Sequence, residues 1–172
     1  CAVIQTARHW QKLPTITVSY RVRPMSDLKS ILVSVDLSET SHEALRFARL
    51  LGHKLGAQIH VLHVLEDPTR YPPAVVPHTR DDFEGGITRL VEQMITQEDR
   101  QQLGAKVTIR QGNTYQTVVR FAAEIGADLI VIGTHGHGPI VNLLLGSIAD
   151  RVVRTAPCPV LTVHHPQHYP RL

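Results

Sequence analysis

Short apolar runs recur along the chain and alternate with longer segments whose apolar residues are spaced three or four positions apart. The runs are rich in valine and isoleucine, which is typical of strands buried in a parallel sheet. They predict five strands, at residues 31–35, 59–65, 106–110, 129–132 and 160–163. The segments between them predict helices, because apolar residues with that spacing form one stripe along a helix.

The first predicted helix starts after the first strand and is expected to end at Gly56. Thr40 and Glu43 have the spacing of a capping box and are expected to begin it. Several prolines interrupt residues 66–86, so we expect this segment to be irregular. A helix is then predicted over residues 87–103. The remaining helices are expected at residues 114–125 and 147–154.

Strands separated by helices imply right-handed βαβ units and an α/β fold with helices on both faces of an open parallel sheet. Five such strands commonly take the Rossmann-like order 3-2-1-4-5, and ligands bind where that order reverses, at the carboxyl ends of strands 1 and 4. Asp36 follows the first strand and Gly133 follows the fourth. We therefore expect these two residues to meet in one crevice.

A glycine-rich stretch follows the fourth strand, with Gly133, Gly136 and Gly138, and Gly146-Ser147 comes where the last helix begins. Glycines let the backbone approach a ligand, and a helix start offers free N–H groups and the positive end of the helix dipole. These features predict an anion site, most naturally for phosphate. The stretch is not a P-loop, because Pro139-Ile140 stands where Lys-Ser/Thr is required, and its glycine order does not match the Rossmann fingerprint. The alternative is an ordinary glycine-rich turn.

The spacing Gly-x-x-Gly, nine residues, Gly-Ser resembles the nucleotide-binding signature of the universal stress protein family, specifically its ATP-binding branch. The resemblance covers Leu28 to about His164. It implies that the chain binds ATP, or ADP or AMP, with Mg²⁺ held through the nucleotide phosphates and no metal ligand from the protein. The residues that it assigns to the nucleotide are Ser34, Val35, Asp36, Val64, Ile132, Gly133, His135, Gly136, Gly146, Ser147, Ile148 and Ala149.

By this resemblance, the adenine and ribose are held by Ser34, Val35, Asp36 and Val64. The glycine turn approaches the ribose and phosphates, and the start of the last helix binds the outer phosphates. For Asp36 the alternative is an N-cap-like role at the following helix. The sequence departs from the family at one position. Members often carry Arg or Lys just after the second glycine, where this chain has His137, and a histidine is only partly charged near neutral pH.

The resemblance also implies a homodimer, in which the last strand pairs antiparallel with its copy through Val160, Leu161, Thr162 and Val163. The function that it implies is an ATP-binding regulator in stress adaptation. Two alternatives stay open: a slow ATPase or autophosphorylating enzyme, and a dimeric interaction module without nucleotide. No catalytic residue is assigned, because no nucleophile–base or paired-carboxylate arrangement follows from the spacing.

Composition adds limits to this picture. The net charge of +3 lies in residues 1–27, while the rest of the chain balances at zero, so nucleic acid is not an expected partner. No apolar run approaches the ~20 residues of a membrane span, and no secretory signal is visible. Cys1 and Cys158 do not suggest a disulfide framework. We expect a cytoplasmic protein with no membrane partner.

The chain is expected to consist of an N-terminal extension at residues 1–27, a universal stress protein domain at 28–165 and a polar tail at 166–172. Within the extension, residues 15–22 alternate cleanly between apolar and polar side chains, which predicts an added strand. The alternative is a disordered basic tail whose alternation is accidental.

Overall fold

The computed structural model describes residues 27–66, 80–134 and 145–164 and, of residues 80–83, only the backbone. The strands are β1 (Ser30–Val35), β2 (Gln58–Leu65), β3 (Lys106–Gln111), β4 (Leu129–Gly133) and β5 (Val160–Val163). The helices are α1 (Glu39–Leu55), α2 (Arg80–Gln93), α3 (Gln97–Gln102), α4 (Thr114–Glu124) and α5 (Ser147–Thr155). The strand predicted at residues 15–22 and the tail at 166–172 lie outside the described residues. In the described part, no helix has the length and apolar character needed to cross a membrane.

The five strands form one parallel sheet in the order β3-β2-β1-β4-β5, which confirms the predicted fold. β1 lies in the middle, with Ser34 opposite Ile132 of β4 and Val35 opposite His63 of β2. The chain turns from β1 to β2 on one side and later returns to β4 on the other. The strand order therefore reverses between β1 and β4.

Apolar side chains cover both faces of the sheet. Odd-numbered residues of β1, such as Ile31, pack in a cluster with Ala48 of α1 and Val91 of α2. Even-numbered residues, such as Leu32, pack in a second cluster with Val118 of α4. Burying one such side chain contributes about 1.5–3 kcal/mol, so the alternation decides which helices lie on which face.

Helix α1 begins earlier than the sequence pattern predicts, and the prediction of a capping box at Thr40 and Glu43 is wrong. Ser38 is the N-cap, because its Oγ accepts a hydrogen bond from the Ser41 N–H at 3.3 Å. The Ser41 hydroxyl in turn donates to the Ser38 carbonyl at 2.9 Å. Thr40 therefore lies inside the first turn, where it is buried. Gly56 ends the helix with φ of 63°, as predicted.

The helix predicted over residues 87–103 is two helices, α2 and α3. Thr96 and Asp99 form a capping box that starts α3: Thr96 Oγ1 accepts from the Asp99 N–H at 3.1 Å, and Asp99 Oδ2 accepts from the Thr96 N–H at 2.8 Å. The prediction that residues 66–86 are irregular is wrong for residues 80–86, which belong to α2. All the prolines of that segment precede residue 80, and the helix tolerates Gly85 and Gly86 at a cost of about 1 kcal/mol each.

An ion pair fastens α3 to α1. Arg49 donates from Nε to Asp99 Oδ1 at 2.8 Å and from Nη2 to Asp99 Oδ2 at 2.7 Å, and it also reaches the Met94 carbonyl. Burial alone would raise the pKa of Asp99, but the hydrogen bonds from Arg49 and Thr96 outweigh it and lower that pKa. The carboxylate therefore stays ionised in the folded protein.

Candidate functional site

The ends of β1 and β4 lie side by side where the strand order reverses. Ser34 and Ile132 are register partners, so Asp36 after β1 and Thr134 after β4 emerge at the same edge of the sheet. Helices α1 and α5 follow these strands and begin at this edge. The sheet thus brings together chain segments that are nearly a hundred positions apart, as the topology predicts.

Asp36 braces the turn between β1 and α1. Its Oδ1 accepts hydrogen bonds from the Ser38 N–H at 3.0 Å and from the Ser38 hydroxyl at 2.5 Å. Asp36 is therefore not the N-cap itself but holds the residue that is. Leu37 between them has φ of 68°, a left-handed conformation that costs a non-glycine residue about 1–3 kcal/mol. These contacts fix the carboxylate at the rim of the crevice.

Gly133 has a packing role that the sequence pattern does not reveal. A Cβ on Gly133 would lie 3.1 Å from both the carbonyl carbon and the Cβ of Thr40, closer than ordinary contacts. The absence of a side chain therefore lets the first turn of α1 approach the end of β4. Because this turn carries Ser38, the glycine also supports the position of Asp36.

Thr134 ties the start of α5 to the ends of β4 and β5. Its N–H donates to the Val163 carbonyl at 2.9 Å, and its carbonyl accepts from the Gly146 N–H at 2.7 Å. Its hydroxyl lies 3.3 Å from Nδ1 of His164, and the residue is buried. Thr134 was not predicted as a site residue, because its contacts join segments that are far apart in the sequence.

Gly146 is the N-cap of α5 and has an extended backbone with no side-chain cap bond in the described part of the chain. Ser147 follows it and is exposed. The first N–H groups of a helix have no partner within the helix, and they carry the positive end of its dipole. The start of α5 therefore presents donors to an anion at the edge where Asp36 emerges.

The side chains predicted for the adenine end are divided between the two faces of the sheet. Ser34, Val64 and Ile132 are buried on the face covered by α4 and α5, whereas Val35 packs on the α1 face. The Val35 carbonyl accepts a hydrogen bond from Nδ1 of His63 at 2.9 Å. His63 is a buried residue of this edge that was not among the predicted site residues, although a histidine near the end of an apolar strand is a visible signal.

His135 and Gly136, both predicted to contact the nucleotide, lie outside the described residues. Within residues 27–66, 80–134 and 145–164, no three His, Cys, Asp or Glu side chains form a group that could hold a metal ion. Cys158 is a free, buried thiol in this part. Burial, and then the charge of Asp128, raise its pKa to about 11, so it is a poor nucleophile at neutral pH.

Comparison with known proteins gives a consistent result. The model of the family described as "Universal stress protein family" matches residues 27–164. Universal stress protein A homolog 1 of Coxiella burnetii is 34% identical over 146 residues, which are 78% of this chain and 95% of that protein. The structure of universal stress protein UspA from Lactobacillus plantarum matches with a TM-score of 0.67 and 26% identity, over 79% of this chain and 97% of that one. A universal stress protein from Archaeoglobus fulgidus, solved in complex with dAMP, matches with a TM-score of 0.53 and 26% identity, over 78% of this chain and 97% of that one.

Proposed function

The chain belongs to the universal stress protein family, and we propose that it binds an adenine nucleotide in the crevice between the ends of β1 and β4. The start of α5 is the observation that carries this proposal. Its first-turn N–H groups have no side-chain cap among the described residues, and Ser147 beside them is exposed. They open on the same edge as the Asp36 carboxylate. Such a site suits a ligand with phosphates at one end and hydroxyl or amine donors at the other.

The adenine and ribose occupy the β1–β2 side of the crevice. Asp36 accepts hydrogen bonds from the ribose, while Ser34, Val64 and Ile132 line the base end from one face of the sheet. Val35 contacts the nucleotide through its backbone, because its side chain packs against α1. The dAMP complex of the Archaeoglobus fulgidus relative supports an adenine nucleotide as the ligand class.

The phosphates lie at the start of α5, near the backbone of Gly146, Ser147, Ile148 and Ala149. ATP is the form we favour, with Mg²⁺ held by the phosphates themselves, where it would neutralise part of their charge. The protein then acts as a nucleotide-sensing regulator, and its state depends on which nucleotide occupies the crevice. A turnover assay with ATP distinguishes this role from that of a slow ATPase.

Calorimetry of ATP binding tests the site. Gly146→Val is expected to abolish binding, because a branched side chain would enter the path of the phosphates. Asp36→Ala is expected to weaken binding, since it removes the ribose contact. Gly86→Ala is a matched control, because a Cβ at Gly86 in α2 would meet nothing within 4 Å. Unchanged affinity in both site variants would show that the assignment is wrong.

The free side of β5 is proposed as the dimer interface. In the described part of the chain this strand pairs only with β4, and Val160, Leu161 and Thr162 are half-buried. A strand edge with an apolar sequence is prone to pair with another strand. Antiparallel pairing with β5 of a second copy across a two-fold axis satisfies its free backbone groups.

A further inference from the structure

Tyr115 and Arg151 face each other across the gap between α4 and α5. The guanidinium carbon of Arg151 lies 5.1 Å from the centroid of the Tyr115 ring, which is a cation–π contact. Tyr115 is in the first turn of α4, and Arg151 is one turn beyond Ser147 in α5. The Tyr115 hydroxyl accepts a hydrogen bond from Gln116 Nε2 at 3.2 Å. Its polar tip is therefore satisfied, and the ring remains as a partly buried apolar surface.

The first turn of α4 is fastened to the end of β2, next to the proposed base end. Thr114 Oγ1 donates to Glu66 Oε1 at 2.6 Å, and the Gly112 N–H donates to the Leu65 carbonyl at 3.0 Å. Tyr115 packs against the buried cluster that contains Val64, Ile132 and Ala149. These are residues on which the proposed nucleotide site is built. The start of α4, which carries Tyr115, therefore lies at the carboxyl end of β2, on the side of the crevice proposed for the base.

Arg151 carries a charge that no carboxylate neutralises within the described part of the chain. Arg151 lies four residues after Ser147, so the two residues share one face of α5, and the Cα–Cβ bond of Arg151 tilts toward the helix start. A second cation–π pair joins Arg110 of β3 to Phe121 of α4 at 5.5 Å, and its cation has a carboxylate beside it. Glu124 lies 3.4 Å from Arg110 there, so that charge is paired.

We propose that Tyr115 and Arg151 together recognise a nucleoside phosphate: the Tyr115 ring packs against the base, and the Arg151 guanidinium faces the phosphate chain. The inference rests on the proposed function and adds two contacts to it. It also supplies a cation for the phosphates, since this chain has His137 in place of the Arg or Lys that often follows the second glycine. The cation comes from α5 instead of from the glycine-rich loop.

Calorimetry with adenosine, AMP and ATP separates the two contacts. Tyr115→Ala is expected to lower the affinity for all three ligands about tenfold, because base–aromatic stacking does not involve the phosphates. Tyr115→Phe keeps the ring and is expected to bind like the wild type. Arg151→Gln is expected to weaken AMP and ATP about fivefold and to leave adenosine nearly unchanged, since a solvent-exposed charge contact is modest. Arg110→Gln is the matched control, and it should bind all three ligands normally.

The outcomes distinguish this inference from the proposed function. Wild-type protein that binds no adenine nucleotide overturns both. Wild-type binding that Tyr115→Ala and Arg151→Gln leave unchanged overturns the inference alone, as does equal weakening of adenosine and ATP by Arg151→Gln. To guard against misfolding, nuclear Overhauser contacts between the Tyr115 ring and the adenine H2 or H8 protons are measured on the wild-type protein. Their presence supports the base contact, and their absence in a saturated complex contradicts it.

Discussion

Gly133→Ala is expected to destabilise the fold, because α1 approaches the end of β4 at this residue. The added Cβ would lie 3.1 Å from the carbonyl carbon of Thr40 and 3.2 Å from its oxygen, whereas ordinary contact is 3.4–4 Å. The obstacle is backbone, so the start of α1 must shift by a few tenths of an ångström. Such overpacking costs about 1–3 kcal/mol. Removing a glycine also restricts the unfolded chain, which stabilises by about 0.4–1 kcal/mol. The midpoints of these two ranges leave a net loss of about 1.3 kcal/mol.

Urea unfolding of the wild type, Gly133→Ala and Gly86→Ala measures this difference. A chain of this size loses about 2–4 °C in Tm per kcal/mol, so thermal unfolding gives an independent estimate. Gly86 lies inside α2 with open space around its Cβ position, and the alanine there should stabilise by up to about 1 kcal/mol. If Gly133→Ala unfolds at the same urea concentration as the wild type or at a higher one, the packing argument is refuted.

Four further predictions concern other parts of the chain. Leu161→Pro should remove a pairing N–H from β5 and give monomers in light scattering; a variant that still elutes as a dimer contradicts the interface. Arg49→Met should cost about 3 kcal/mol in urea unfolding, because it removes the cation beside the buried Asp99 carboxylate. Because the pKa of Asp99 is lowered in the folded protein, its ionised carboxylate stabilises the fold fully above the unfolded pKa of about 3.9. This stabilisation is lost as the pH falls through the pKa of the folded state. Acid unfolding should therefore be less steep in Asp99→Asn, and identical curves refute this. Residues 15–22 should show amide protection comparable to that of β3, and exchange at the rate of an unstructured peptide refutes the added strand.

The sheet could be predicted from the sequence because each strand is a compact apolar run and every connection carries a helical pattern. Five parallel strands with helical connections leave few acceptable orders, and the reversal between β1 and β4 then follows. The prediction that Asp36 and Gly133 meet in one crevice follows from the strand order and needed no side-chain detail. Helix starts were less predictable, since Ser38 and Thr40 both have side chains that can cap.

Contacts between distant segments explain most of what the sequence did not reveal. Gly133 is required by Thr40, and His63 donates to the carbonyl of Val35, but neither relation leaves a local pattern. The break at Thr96 is different, because its capping spacing with Asp99 is visible in the sequence. A single helix over residues 87–103 was predicted from the apolar stripe alone, although the capping pair in the middle marks the start of a new helix.

Native mass spectrometry of the protein as purified, without added ligand, tests the central claim most directly. The account predicts a dimer that carries an adenine nucleotide in each subunit, and it predicts that Gly146→Val forms the dimer without nucleotide. Stripped wild-type protein should regain the added mass when ATP is supplied. Wild-type protein that takes up no adenine nucleotide under these conditions, or a Gly146→Val variant that retains it, would contradict the account.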